Sequence, residues 1–115
     1  MSDPGRLPAH LEVAGLVRAV QAAGGFATVL AKGEREAGTI MVVTCEKGTD
    51  FRAWERMPQV DGSRSWTCVR EAEGEDGKDL ANYLDRRKSQ DSDLWIIELD
   101  VADGERFIPM KGSTG

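Results

Sequence analysis

The sequence holds only two cysteines and one histidine in 115 residues, which leaves few groups for redox or metal chemistry. Cys45 and Cys68 have no other cysteine or histidine at metal-ligand spacing, so both are expected as reduced thiols packed as small hydrophobes. No cofactor is expected. Long apolar runs are missing too: nothing approaches the ~18 residues of a spanning helix, so no membrane span is expected. The opening Met-Ser-Asp-Pro-Gly-Arg lacks a basic region followed by an apolar run, so no secretory leader is expected and the expected location is the cytoplasm. Positive charge is in deficit, with 15 Lys and Arg against 20 Asp and Glu for a net charge of −5, which disfavours nucleic acid as a partner. What is present, 40% hydrophobic and 30% charged residues, suits a soluble folded chain rather than a disordered one. With no repeat and no long linker, the reading is a single domain over 1–115, its ordered core about 6–108 and its tails 1–5 and 109–115 flexible.

Periodicity supplies the elements. Between Leu7 and Ala23, the residues Val13, Leu16, Val17 and Val20 fall at i, i+3, i+4 and i+7, the spacing of one helical face. Pro8 suits the first turn and Gly24-Gly25 the end of this helix. Phe26–Lys32 and Thr39–Glu46 read as strands joined through the glycine-bounded stretch Gly33–Gly38, and are expected to pair as a hairpin. Phe51–Met57 and Ser65–Arg70 continue an antiparallel meander, with Asp61-Gly62 as a turn. After the acidic stretch 71–77, a second helix is expected from about Lys78 to Ser89, with Asp76 as its cap, Asp79 in the first turn and Arg86, Arg87 and Lys88 in the last. Leu80, Tyr83, Leu84 and Arg87 share one of its faces. Leu94–Asp100 is the most strand-like segment, and Phe107-Ile108 is expected as a short edge strand. The expected fold is α+β: a two-layer sandwich with a mainly antiparallel sheet of about five strands, two helices on one face, and the order α-β-β-β-β-α-β.

Such a sheet should be polar on its uncovered face, yet two strands are apolar both ways. In Thr39–Glu46, Ile40 and Val42 oppose Met41, Val43 and Cys45; in Leu94–Asp100, Trp95, Ile97 and Leu99 oppose Leu94 and Ile96. Both strands should therefore be central. One explanation of the surplus is that loops 58–63 and 71–77 fold over the second face. The other is an interface built from Met41, Val43, Trp54, Trp66 and Trp95, with a protein partner that is most simply a second copy in a twofold homodimer.

A search for chemistry finds little. His10 has no evident catalytic partner, and the serines lack the glycines of a nucleophile elbow. The glycine-rich stretches carry neither a Walker lysine-serine pair nor a dinucleotide fingerprint. Asp91, Asp93 and Glu98 follow the basic end of the second helix and offer carboxylates for a divalent ion or acid–base work. The plainer reading makes the aspartates loop residues and gives Glu98, a carboxylate in an apolar strand, a partner in Arg18 or Arg87. The cluster Arg18, Arg87, Asp91, Asp93 and Glu98 is thus the candidate site, with an ion pair favoured over catalysis and no metal assigned. Arg52, Trp54, Arg56 and Arg70, with Arg86-Arg87-Lys88, offer an alternative as a weak single-stranded nucleic-acid patch. A non-enzymatic interaction or accessory protein acting through an exposed apolar sheet face is the reading these residues favour over a small enzyme.

The same residues carry a resemblance. Arg6-Leu7, Arg18, Ala23-Gly-Gly-Phe-Ala27, Gly33, Ala37-Gly38 and above all Asp93-Leu-Trp-Ile-Ile-Glu-Leu-Asp100 resemble a family of small bacterial proteins of about this length, known only as a domain of unknown function. Arg87, Asp91, Asp93, Leu94, Trp95 and Glu98 occupy the positions of its most specific block, while Ser92 stands where proline is expected and the 71–77 connection is longer and more acidic. The resemblance implies a single-domain soluble bacterial protein and brings no mechanism.

Overall fold

The structure is a computed structural model that describes residues 7–58, 60–62, 64–72 and 78–108. Helix α1 spans Ala9–Ala22 and is followed by β1 (Phe26–Ala31), β2 (Ile40–Glu46), β3 (Thr49–Pro58), β4 (Arg64–Ala72), α2 (Lys78–Gln90), β5 (Trp95–Asp100) and a 3-10 turn over Gly104–Phe107. The α+β class, the five strands and the element order agree with the sequence reading. The segment expected as an edge strand at Phe107-Ile108 instead ends the 3-10 turn. The cap expected at Asp76 and both tails lie outside the described residues.

Helix α1 starts after Pro8, which has no N–H of its own to satisfy and no side-chain cap. Two donors of its first turn are met from elsewhere: Ala9 N–H donates to the Glu36 carbonyl at 3.0 Å and His10 N–H to that of Arg35 at 2.9 Å. The connection between β1 and β2 therefore caps α1. At the other end Gly24 takes φ +86, the left-handed conformation expected there.

The sheet order is β1-β5-β2-β3-β4. Three pairings are antiparallel and one, β2 with β5, is parallel, so the sheet is mixed. The expected β1–β2 hairpin does not form, because β5 enters between the two strands. A strand apolar on both faces needs a neighbour on each side and cover above and below, and an edge position would leave β5 half exposed. The 33–38 connection instead straddles the start of β5. Glu34 N–H donates to the Asp93 carbonyl at 3.1 Å, and Trp95 N–H donates to Thr39 at 2.8 Å. Glycine is required here: a Cβ on Gly33 would lie 2.1 Å from the Asp93 carbonyl oxygen, and one on Gly38 would lie 2.5 Å from it.

The two helices lie on opposite faces of the sheet, which corrects the expected two-layer arrangement with both on one face. Val13, Leu16 and Val20 of α1 pack with Ile40, Val42, Trp54, Trp66, Trp95, Ile97 and Leu99. Leu80 of α2 packs with Met41, Val43, Ala53, Leu94 and Ile96, flanked by Tyr83 and Leu84. These two sets are the alternating faces of β2 and β5. The apolar surplus on the second face is thus answered by a helix. At about 1.5–3 kcal/mol for each large side chain removed from water, covering Met41, Val43, Leu94 and Ile96 outweighs any arrangement that leaves them bare.

Candidate functional site

Burial of the five residues expected to form an interface removes them from the surface. Met41 and Val43 lie beneath α2, while Trp54, Trp66 and Trp95 belong to the core beneath α1. Each indole has a local role. Trp54 Nε1 donates to Thr44 Oγ1 at 3.0 Å, Trp95 Nε1 donates to the Glu34 carbonyl at 2.7 Å, and Trp66 lies under the Arg56 guanidinium at 5.0 Å. Three arginines of the nucleic-acid alternative are also engaged. Arg56 pairs with Glu12 at 3.2 Å, Arg52 reaches Glu105 at 3.3 Å and Glu71 at 3.6 Å, and Arg70 stacks on Tyr83 at 4.5 Å.

The candidate ion-pair cluster does not assemble. Arg18 is exposed on α1, across the sheet from Glu98. Arg87 pairs with Glu55, a residue of β3 that is only 8% exposed. Alternation along β3 points Glu55 to the α2 face, opposite to Trp54, so the Arg87–Glu55 pair ties the end of α2 to the sheet. Glu55 was legible as a strand residue, and the basic end of α2 was its only signal. Asp91 and Asp93 build the turn into β5: Asp93 N–H donates to Asp91 Oδ1 at 3.0 Å, and Leu94 N–H to the Asp91 carbonyl at 3.2 Å. Asp93 and Glu98 stand five positions apart along an extended stretch, a span of about 16 Å, so the three carboxylates share no ion. Among the described residues no group of three His, Cys, Asp or Glu side chains could hold a metal.

The thiols are poorly suited to nucleophilic work. Burial, then the carboxylates of Asp100 and Glu98, push the Cys45 thiol up to about 12. Burial also raises Cys68, assisted by Glu71. His10 accepts from Arg35 Nη2 at 3.3 Å.

A different site emerges at β1. Among the described residues its only strand neighbour is β5, in the register Phe26↔Asp100, Ala27↔Leu99, Thr28↔Glu98 and Val29↔Ile97, resuming at Ala31↔Ile96. Leu30 is the extra residue of a bulge. The sequence Phe-Ala-Thr-Val-Leu-Ala carries no charge and no proline, two of the usual blunting devices of an edge strand, and its one such device is the bulge at Leu30. Phe26 is 73% exposed, Val29 44% and Leu30 42%. Sequence reading missed this edge because the segment looked like one arm of a hairpin.

Beside β1, on the α2 face, lies a groove of about 240 Å³ lined by Leu30, Val43, Phe51, Leu80, Ala81, Leu84 and Glu98. Glu98 is its one charged residue and is half-buried. Burial and the nearby Asp100 carboxylate raise its carboxyl above the usual range. Among the described residues no cation pairs with it. Asp100 accepts the backbone N–H of Lys47 at 2.7 Å.

The family model described as "Protein of unknown function (DUF1491)" matches residues 7–109. The chain is similar to a DUF1491 family protein from Caulobacter crescentus CB15, at 29% identity and TM-score 0.78 in its crystal structure, with 91% of this chain and 97% of that one covered. The NMR structure of a DUF1491 family protein from Caulobacter crescentus CB15 gives 30% identity and a TM-score of 0.77, covering 90% and 94%. A solution structure of a protein from A. tumefaciens gives 31%, a TM-score of 0.75, and coverage of 92% and 95%. No functionally curated protein matches. A family match over the sheet and both helices, joined by relatives that align along nearly their whole length, makes this chain a member of the DUF1491 family of proteins of unknown function.

Proposed function

We propose that this chain is a non-enzymatic interaction protein of the bacterial cytoplasm that receives its partner by strand addition at the free edge of β1. The observation that carries this reading is the edge itself: uncharged, free of proline, and bearing three exposed apolar side chains. Unpaired backbone donors and acceptors along such an edge supply affinity, and alternate side-chain positions supply selectivity. Free thiols at Cys45 and Cys68 support a reducing compartment. The raised thiols and the dispersed carboxylates support binding rather than chemistry.

Strand addition is tested with an end-blocked fluorescent peptide of about eight residues, alternating valine and threonine, followed by anisotropy. The same peptide N-methylated at every amide keeps its side chains and loses its backbone donors on both edges. Binding that disappears on N-methylation, and that falls with Val29→Lys in the protein, is the expected result. Equal binding of both peptides, or no binding at millimolar protein, would refute the reading.

A further inference from the structure

The edge and the groove are adjacent, and their charge says what kind of strand they suit. Glu98 stands on β5 directly across from Thr28 of β1, on the face that α2 covers only in part. A strand added outside β1 would run about 10 Å from β5, two inter-strand spacings. Its residue opposite Thr28 would project to the same face as Thr28 and Glu98. Thr28 is short and exposed, so a long side chain can pass over it. A lysine stem of four methylenes reaches about 6 Å from its Cα, and the glutamate reaches to meet it.

Resting on the strand-addition reading, we propose that the β1 edge takes an extended basic peptide, whose lysine or arginine crosses Thr28 to pair with Glu98 while an apolar residue two positions away enters the groove at Leu30. The groove has apolar walls and a single carboxylate, the lining that an alternating basic and apolar strand face would match. Half-buried Glu98 has no cation among the described residues and is held above the usual carboxylate range by burial and by Asp100. An incoming cation therefore relieves two like charges at once. A second copy of the chain fits less well: its β1 contains no lysine or arginine, and each copy carries a net charge of −5.

The test replaces one valine of the Val/Thr peptide by lysine, which leaves valines two positions away on the same face, and in a further peptide by norleucine, which keeps the methylenes and loses the ammonium. The lysine peptide is expected to bind about tenfold or more tighter than the norleucine peptide, the range of a charge-assisted bond. Glu98→Gln should erase that difference, and its urea unfolding midpoint shows whether the fold is intact. If that variant fails to fold, Thr28→Trp, which blocks the crossing from the surface, must erase the same difference. Lysine and norleucine peptides binding alike would overturn the assignment of Glu98 while strand addition stands. Failure of every peptide, the Val/Thr parent included, would overturn both. A mass of two chains in sedimentation velocity, lost in Val29→Lys, would place a second copy on the edge and overturn the basic peptide.

Discussion

Removing the Arg87 guanidinium tests the assignment of that residue to Glu55 rather than to Glu98. Arg87→Met keeps most of the apolar stem and leaves Glu55, which is 8% exposed, without its cation. Breaking a fully buried pair from one side costs about 3–5 kcal/mol, and an exposed pair contributes at most about 1 kcal/mol. The side chains here are 20% and 11% exposed, so the expected loss lies between these limits, at about 2–3 kcal/mol. For a chain of this size that lowers Tm by about 8–12 °C. Glu55→Gln combined with Arg87→Met should recover much of the loss, because the double variant buries no unpaired charge. The assay is urea unfolding of both singles and the double, with a second cycle of Arg87→Met against Glu98→Gln. Coupling of about 1.5 kcal/mol or more is expected in the first cycle and near zero in the second. A loss below about 0.5 kcal/mol for Arg87→Met, or coupling to Glu98 as large as to Glu55, would refute the reasoning.

Two further outcomes follow from burial and close approach. The raised Glu98 carboxyl means that the folded chain holds its proton more tightly than the unfolded chain does, so the contribution of this group is most favourable below its ordinary value of 4.5 and is lost as pH rises through the higher folded value. Glu98→Gln should therefore be more stable than the parent at pH 7, with the gap closing as pH falls toward that ordinary value; chemical denaturation at a series of pH values checks this, and a gap that widens on acidification would contradict it. Gly33→Ala forces a Cβ against the Asp93 carbonyl and should cost about 1–3 kcal/mol or more, whereas Gly15→Ala, in open space on α1, should gain about 0.5–1 kcal/mol. Thermal unfolding of the two variants separates them, and equal Tm values would show that the 33–38 connection yields freely.

The parts of the fold readable from the sequence are those set by local pattern. Val13, Leu16 and Val20 specify a helix face whatever packs upon it, and both-sided apolarity in β2 and β5 correctly marks them as interior strands. What local pattern does not contain is which strands become neighbours. A short polar connection between two strands is compatible with a hairpin, and also with two strands standing apart around a third. Gly33 and Gly38 permit the second arrangement, because their missing side chains let the connection press on the start of β5. Their identity was visible, but the atoms they accommodate lie some sixty residues away in sequence. The side taken by α2 was hidden for a similar reason: its apolar stripe fits either face, and only the unmet demand of Met41, Val43 and Ile96 selects one.

The candidate site divides along the same line. A glutamate set between isoleucine and leucine announces that it needs a partner, and that need is local. The identity of the partner is a matter of topology, and topology sends Arg18 across the sheet and Arg87 to Glu55. Arg18 and Arg87 both belong to helices that pack on the sheet, but a charge on a packed helix is not by that fact close to Glu98 in space. With both arginines placed elsewhere, Glu98 stands beside Asp100 on a strand one removed from an open edge. The buried Trp residues teach the complementary point. Tryptophan and arginine together mark the centres of interfaces in general, but here the interface is between α1 and the sheet. The edge proposed for another molecule is the plain run Phe-Ala-Thr-Val-Leu-Ala, whose significance lies in its outer side, which pairs with no strand among the described residues, rather than in any residue type it contains.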